Sequence, residues 1–249
     1  MEEKKRIFRN EWKYLTSHSE ADLLKDRLLN FLVPDKHAGR QGYSIRSLYF
    51  DDYNNSAYSQ KLMGVYSRKK WRIRIYNYSD AKIALERKLK RGNYIYKESA
   101  DISRDEYEKI IKGEYTFLLA REENLCKEFY IECVCNVLRP KVIVDYERFP
   151  LVMDEGTVRI TFDSYVSAAL GGFDIFDENL PKLSAIDEGC EVLEVKYTEF
   201  IPDLIREILP LKEQEFIAFS KYVVCYEAAH HMTRLTSDIS KSRLSFRGI

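Results

Sequence analysis

The chain has 249 residues, enough for a sizeable core in one large domain or two small ones. Hydrophobic residues make up 45% and charged residues 32%, which excludes a disordered chain; 40 basic residues balance 40 acidic ones, so bulk charge gives no reason to expect nucleic acid or an anionic membrane as partner. The five cysteines include one C-x-C pair, Cys133 and Cys135, and fit neither a disulfide framework nor a zinc site. They read as reduced, mostly buried thiols of a cytosolic protein. The charged stretch Met1 to Arg9 lacks the apolar core of a signal peptide, and no run nears the roughly 18 apolar residues of a membrane span. A cytoplasmic protein without membrane insertion is expected.

Phe8 to Leu15 alternates like a strand. Ser19 is positioned to cap a helix to about Leu32, with Leu23, Leu24, Leu28 and Phe31 on one face and Pro34 beyond its end. Ser44 to Asp51 is a second strand, and Asn55 to Met63 a short helix ended by Gly64. Trp71 to Tyr76 and Lys82 to Lys90 form strands joined by a turn around Asn77 to Asp80, with Tyr94 to Ala100 next. Ser103 caps a helix to Lys112, and a longer one is predicted from Phe117 to about Val137. The strand after Pro140 runs to Arg148 and pairs with Thr157 to Tyr165. Ala168 to Gly189 reads as a surface loop and Glu191 to Tyr197 as the last strand. Helices over Asp203 to Leu209 and Ser220 to Thr233 close the chain. Few prolines and glycines punctuate it, so a single domain over residues 1–249 is expected, of the α+β class.

Strand side chains alternate between two faces, and several strands here carry charge on one of them. Arg72 and Arg74 oppose Ile73 and Ile75. Glu86, Lys88 and Lys90 oppose Leu85 and Leu89. Arg159, Thr161 and Asp163 oppose Val158, Ile160 and Phe162; Glu194 and Lys196 oppose Leu193 and Val195; Glu11 shares a face with Lys13. One such strand is an ordinary sheet with its charged side in water. Repeated Lys and Arg at strand centres, with few acids, fit better a sheet curled into a tunnel: an antiparallel eight-stranded β-barrel with helices packed outside and cations lining the bore. Like charges held that close repel, and a phosphate-rich anion would relieve them.

At these residues the sequence resembles the catalytic domain of the vacuolar transporter chaperone proteins, the VTC domain, within the triphosphate tunnel metalloenzyme (CYTH-like) superfamily. The resemblance is carried in chain order by Glu11-Trp-Lys13-Tyr14, Ser47-Leu-Tyr-Phe-Asp51, Arg72-Ile-Arg74, Glu86-Arg-Lys88, Tyr146-Glu-Arg148, Val158-Arg159-Ile-Thr-Phe-Asp163, Leu193-Glu194-Val-Lys196 and Phe219-Ser-Lys221-Tyr222. It implies polyphosphate synthesis from ATP with release of ADP, assisted by Mn2+ or Mg2+. It also implies catalytic contacts from Arg72, Arg74, Lys88, Arg159 and Lys221, phosphate contacts from Lys13, Lys61, Lys97 and Arg148, and a metal on Glu194. Insertions blur the register at Lys61 and Lys97. Arg148 shares strand parity with Val142 and Val144 unless a bulge intervenes. Ala218 stands where the eukaryotic pattern has lysine, and the regulatory and membrane segments of the eukaryotic proteins are not in this sequence, so coupling to membrane transport is not expected of it.

Phosphoryl transfer asks a protein chiefly for positioning and charge neutralisation. Neither a Ser–His nor a Cys–His pair stands out, and Gly171-Gly172 lacks the spacing of a phosphate loop. His18, His37, His230 and His231 read as surface or helix residues. Glu194 also has a plainer role open to it, neutralising Lys196 or a tunnel arginine. ATP and polyphosphate are the expected partners. The same basic bore would equally serve a metal-dependent triphosphatase acting on inorganic triphosphate or nucleotides, or a polyphosphate or nucleotide sensor without turnover.

Overall fold

The computed structural model describes residues 10–39, 41–92, 94–209 and 219–231. Ten antiparallel strands form one sheet: β1 (Asn10–Ser17), β2 (Val33–Pro34), β3 (Tyr43–Asp51), β4 (Ser67–Tyr76), β5 (Ser79–Arg91), β6 (Tyr94–Ile102), β7 (Arg139–Met153), β8 (Val158–Ala169), β9 (Lys182–Ser184) and β10 (Cys190–Tyr197). Eight of them run in the order β1-β10-β8-β7-β3-β4-β5-β6, while β2 pairs with β7 and β9 with β8. Among the described residues the sheet is therefore tunnel-like but not closed by a backbone ladder: β1 and β6 end the path. Lys88 of β5 reaches across the seam to Glu11 of β1, its Nζ donating to the two carboxylate oxygens at 2.9 and 3.2 Å.

Alternation sorts the sheet into an outer and an inner face. On the outside, Trp71, Ile73, Ile75 and Leu85 pack under α3 (Arg104–Lys112) and α4 (Asn124–Cys135). Ile160, Phe162, Leu193 and Val195 pack under α1 (His18–Leu28) and α5 (Asp203–Ile208). The inner face is not uniformly charged. Ile45, Val142, Val144, Val166 and Val192 point inward and meet Tyr222, Val223 and Cys225 of a closing helix, α6 (residues 221–231). That helix fills the apolar part of the bore and leaves the charged part beside it.

This arrangement removes the parity conflict at Arg148. Residues 142 to 148 of β7 pair with β3 in unbroken register, from Tyr49↔Val142 to Tyr43↔Arg148, so the valines and Arg148 do share the inner face. The bulge lies instead on β8, where the ladder with β7 shifts around Tyr165, a residue at φ 53°. It lets Asp163 and Ala168, which are of opposite parity, both face inward.

Local chemistry moved several element ends. The first helix starts two residues earlier than Ser19 suggests, because Ser17 and Glu20 form a reciprocal capping box. It ends at Leu28 rather than Leu32. The stretch 117–137 is broken into a 3-10 turn, Thr116–Ala120, and α4. Between them Arg121 is extended, with its guanidinium tied to Glu106, Glu123 and the Asp101 carbonyl. Within 168–189 the chain gains the short strand β9. Phe8 and Thr233, the predicted ends of the first strand and last helix, lie outside the described residues. Among the described residues no helix is long and apolar enough to cross a membrane.

Gly42, just before β3, has φ +85° and sits so close to β7 that an added Cβ would lie 2.2 Å from the Arg148 carbonyl oxygen. Gly42→Ala should therefore cost more than about 1 kcal/mol in a denaturant titration, since it combines a forbidden φ with a backbone clash. It should also weaken anion binding by displacing Arg148. Unchanged stability would show that β7 does not press on this glycine.

Candidate functional site

The charged part of the bore is a cavity of about 650 Å³. Its lining includes eleven lysines and arginines but two carboxylates, Glu11 and Glu194, an imbalance that suits a polyanion. Each strand delivers its charge by alternation: Glu11 and Lys13 from β1, Arg68, Lys70, Arg72 and Arg74 from β4, Lys88 and Lys90 from β5, Arg148 from β7, Glu194 and Lys196 from β10. Lys61 comes from α2 (Ser56–Leu62) and Lys221 from the first residue of α6.

Of the residues singled out from sequence, Lys13, Lys61, Arg72, Arg74, Lys88, Arg148, Glu194 and Lys221 all line this cavity. Two are placed differently. Arg159 lies outside the lining, where its Nη1 donates to Asp35 at 2.7 Å. Lys97 is half exposed at the edge strand β6, on the inner face opposite Lys88, and donates to Glu86 Oε1 at 2.7 Å from outside the lining. Ala218 lies outside the described residues. Arg68, Lys70, Lys90 and Lys196 join the lining without having been singled out. A signal for Arg68 and Lys70 existed: they continue the Arg72/Arg74 alternation, but the predicted strand began at Trp71. Lys90 and Lys196 already shared faces with Lys88 and Glu194.

The inner cations are not left unneutralised, contrary to what their crowding in sequence suggests. Glu86, 2% exposed, accepts from Arg72 Nε at 2.7 Å and from Lys97. Glu11 pairs with Lys13 at 2.8 Å and with Lys88 at 2.9 Å. Glu194 pairs with Lys196 at 2.8 Å and lies 3.5 Å from Arg148 and 3.9 Å from Lys13. Asp163, fully buried, accepts from Arg148 at 2.6 and 2.7 Å and from Lys221 at 2.5 Å. Tyr49 and Tyr146 fix the arginines further, their hydroxyls accepting from Arg72 at 2.9 Å and Arg74 at 3.0 Å.

Protonation follows from these partners. Burial alone would raise the Glu194 carboxyl, yet Lys196 and Lys13 hold it well below the usual carboxylate range. Burial and Glu194 both push Glu11 up, and Lys13, Lys88 and Lys196 together bring it down. Both acids are therefore ionised at neutral pH. Lys196 shows the opposite balance: burial outweighs Glu194 and lowers its ammonium to about 8.

An antiparallel tunnel whose bore is lined by cations and a few buried carboxylates defines the triphosphate-tunnel class of protein. The family model for the VTC domain matches residues 8–230, and the chain belongs to that family. Among solved structures, HpAC1 from Hippeastrum, for which a dominant triphosphatase activity is described, is similar in fold at TM-score 0.54 and 16% identity. That match covers 89% of this chain and 95% of HpAC1. A Bacillus halodurans protein assigned as an adenylate cyclase aligns at TM-score 0.49 and 15% identity over 86% of this chain and 95% of its own. Among curated proteins there is no match.

Asp163 gives the site's stability a pH signature. Burial would raise its carboxyl, but Arg148 and Lys221 pull it from 3.8 down to about 2. A depressed carboxylate stabilises the fold fully above its unfolded value, and that contribution is lost as pH falls towards 2. Asp163→Asn leaves two buried cations without their partner and should cost about 3–5 kcal/mol near neutrality. It should also flatten this acid limb in urea titrations at several pH values. A variant as stable as the parent would show that Arg148 and Lys221 find another counter-charge.

Proposed function

We propose that this protein is a polyphosphate polymerase: it transfers the γ-phosphoryl group of ATP to the end of a polyphosphate chain and releases ADP. The supporting observation is the cavity itself, in which cations from five strands and two helices converge around the ionised pair Glu11 and Glu194. Membership of the VTC-domain family supports the polymer as acceptor.

In this reading Arg72 and Arg74, held by Glu86, Tyr49 and Tyr146, orient the triphosphate oxygens without further reorganisation. Lys88, Lys13 and Lys221 exchange a carboxylate partner for a phosphate oxygen as the ligand enters. A terminal oxygen of the chain attacks the γ-phosphorus and forms the new P–O bond. The bond to the β–γ bridging oxygen breaks, and ADP leaves with that electron pair. The bore's task is to align the two oxygens and balance the charge spread between them.

The donor set also fits a divalent cation. Glu194 and Glu11 offer hard oxygen ligands, and magnesium- or manganese-like ions bind through one or two carboxylates together with substrate phosphates. Among the described residues no group of three or more His, Cys, Asp or Glu side chains is placed to hold a metal by itself, which agrees with a metal that arrives with the phosphate. When bound, such an ion would neutralise charge on the phosphate oxygens.

A triphosphatase is the second reading, favoured by the fold shared with HpAC1. Water then replaces the chain end as nucleophile, and the binding groups stay the same. Incubation with ATP and Mn2+ or Mg2+ separates the two. Long phosphate chains with ADP are expected; free phosphate or pyrophosphate alone would favour hydrolysis, and tight binding without turnover a sensor. In the same assay Glu194→Gln should raise the metal concentration for half-maximal activity by roughly tenfold or more, about 1.4 kcal/mol, because an amide is a poorer ligand than a carboxylate. An unchanged requirement would move the metal to other groups.

A further inference from the structure

The motif Ser47-Leu-Tyr-Phe-Asp51 ends on a buried acid that takes no part in the chemistry above. Asp51, 2% exposed, closes β3 and lies outside the lining of the cavity. Glu86, Glu194, Asp145 and Asp163 are buried beside lysine or arginine partners, whereas Asp51 has neither within 4.0 Å among the described residues. Its oxygens accept from N–H and O–H groups instead. Oδ1 takes the amides of Asp52 at 2.9 Å and Ala57 at 2.8 Å; Oδ2 takes the Tyr58 amide at 3.0 Å and the Tyr222 hydroxyl at 2.7 Å.

Two of these bonds begin a short helix. α2 has seven residues, too few to be stable by itself in water. Its N-cap residue, Asn55, sits at φ 53° and makes no side-chain capping bond. The amides of Ser56, Ala57 and Tyr58, which a helix cannot satisfy from within, are taken by Asp52 and Asp51. Near its other end α2 carries Lys61 into the cavity. The bond from Tyr222 reaches a second helix. Tyr222 is the second residue of α6, next to Lys221, and its ring stacks on Tyr49 with centroids 5.2 Å apart and planes at 26°. Tyr49 in turn accepts from Arg72 at 2.9 Å. Further along, the Tyr58 hydroxyl donates to Glu227 at 2.9 Å and joins the two helices again. One carboxylate thus fixes the first turn of both helices and, through Tyr222 and Tyr49, braces an arginine on β4.

We propose that Asp51 is a positioning residue for the site: from outside the cavity it sets where α2 and α6 present Lys61 and Lys221. Cations on strands are placed by the ladders on either side of them. A helix end has no such ladder and depends on what caps it. A carboxylate suits this joint because it offers about four acceptor sites, and four donors from three segments of the chain meet it here. The role rests on the reading above in which the cavity takes a triphosphate.

Calorimetric titration of the whole chain with inorganic triphosphate tests this, at a temperature where circular dichroism shows each variant folded. Asp51→Asn keeps the shape of the side chain, but whichever way the amide turns, its NH2 group faces a backbone N–H. It should weaken triphosphate binding roughly tenfold. Lys61→Gln should weaken it too, and combining the two should lower it little further, because α2 no longer holds that lysine in place. A residue needed only for stability would leave the affinity of the folded protein unchanged, or would act independently of Lys61. Unchanged affinity in Asp51→Asn, or losses that multiply in the double variant, would therefore overturn the role. If Asp51→Asn does not fold, Tyr222→Phe carries the test, since it leaves the α2 amides bonded: a loss of about threefold supports the tie to α6, and no loss overturns it. A parent that binds no triphosphate would overturn the reading of the cavity itself. A parent that binds, with variants that bind equally well, would overturn the role of Asp51 alone.

Discussion

The structure turns on one buried tie, Arg148–Asp163–Lys221. Asp163 sits on β8 with no solvent exposure, takes two bonds from the Arg148 fork on β7 and one from Lys221 at the start of α6. Desolvating three charges is costly, and only the fork geometry and the third partner offset it. The tie decides where α6 begins. From that anchored first turn, Tyr222, Val223 and Cys225 enter the apolar part of the bore, and the Tyr222 hydroxyl donates to Asp51 at 2.7 Å. The same tie keeps Arg148 at the cavity wall, 3.5 Å from Glu194. Packing and site share a single joint, so a change in one is felt in the other.

Much of this was legible in the chain because a strand's period is short and strict. Arg72/Arg74 against Ile73/Ile75, and Glu194/Lys196 against Leu193/Val195, needed no partner to reveal which side was which. What alternation does not encode is the direction in which the sheet curls or what fills it. Val142 and Val144 are apolar like outer residues but face inward, because a helix 70 residues or more later in the chain supplies their neighbours. The half-exposed Lys97, reaching Glu86 from β6, depends likewise on cross-strand register that a single strand does not contain. Capping was decided by a two-residue difference: Ser17, not Ser19, has Glu20 three positions on.

Carboxylates are unevenly distributed among the bore's cations. Where Glu11, Glu86, Glu194 and Asp163 interleave with cations, the bore's charge is partly neutralised, although the cations still outnumber the acids. Lys61, Arg68, Lys70 and Lys90 sit in the contrary state, crowded and without acids within 4 Å among the described residues.

The balance of 40 basic and 40 acidic residues now has a physical reading. Eleven of the cations are drawn into one cavity with two acids, so the rest of the chain carries the compensating negative charge. At physiological ionic strength the Debye length is about 8 Å, and a neutral molecule with acidic surroundings does little to steer a distant anion. Discrimination has to come from enclosure. Inside the bore the charges lie among buried side chains and are screened less than on the outer surface. A broad polyanion such as a duplex would meet an outside that is neutral or acidic overall, away from the buried cations of the bore. The even overall charge and the concentrated cations of the bore are thus compatible: the surplus sits inside, and the rest of the chain balances it.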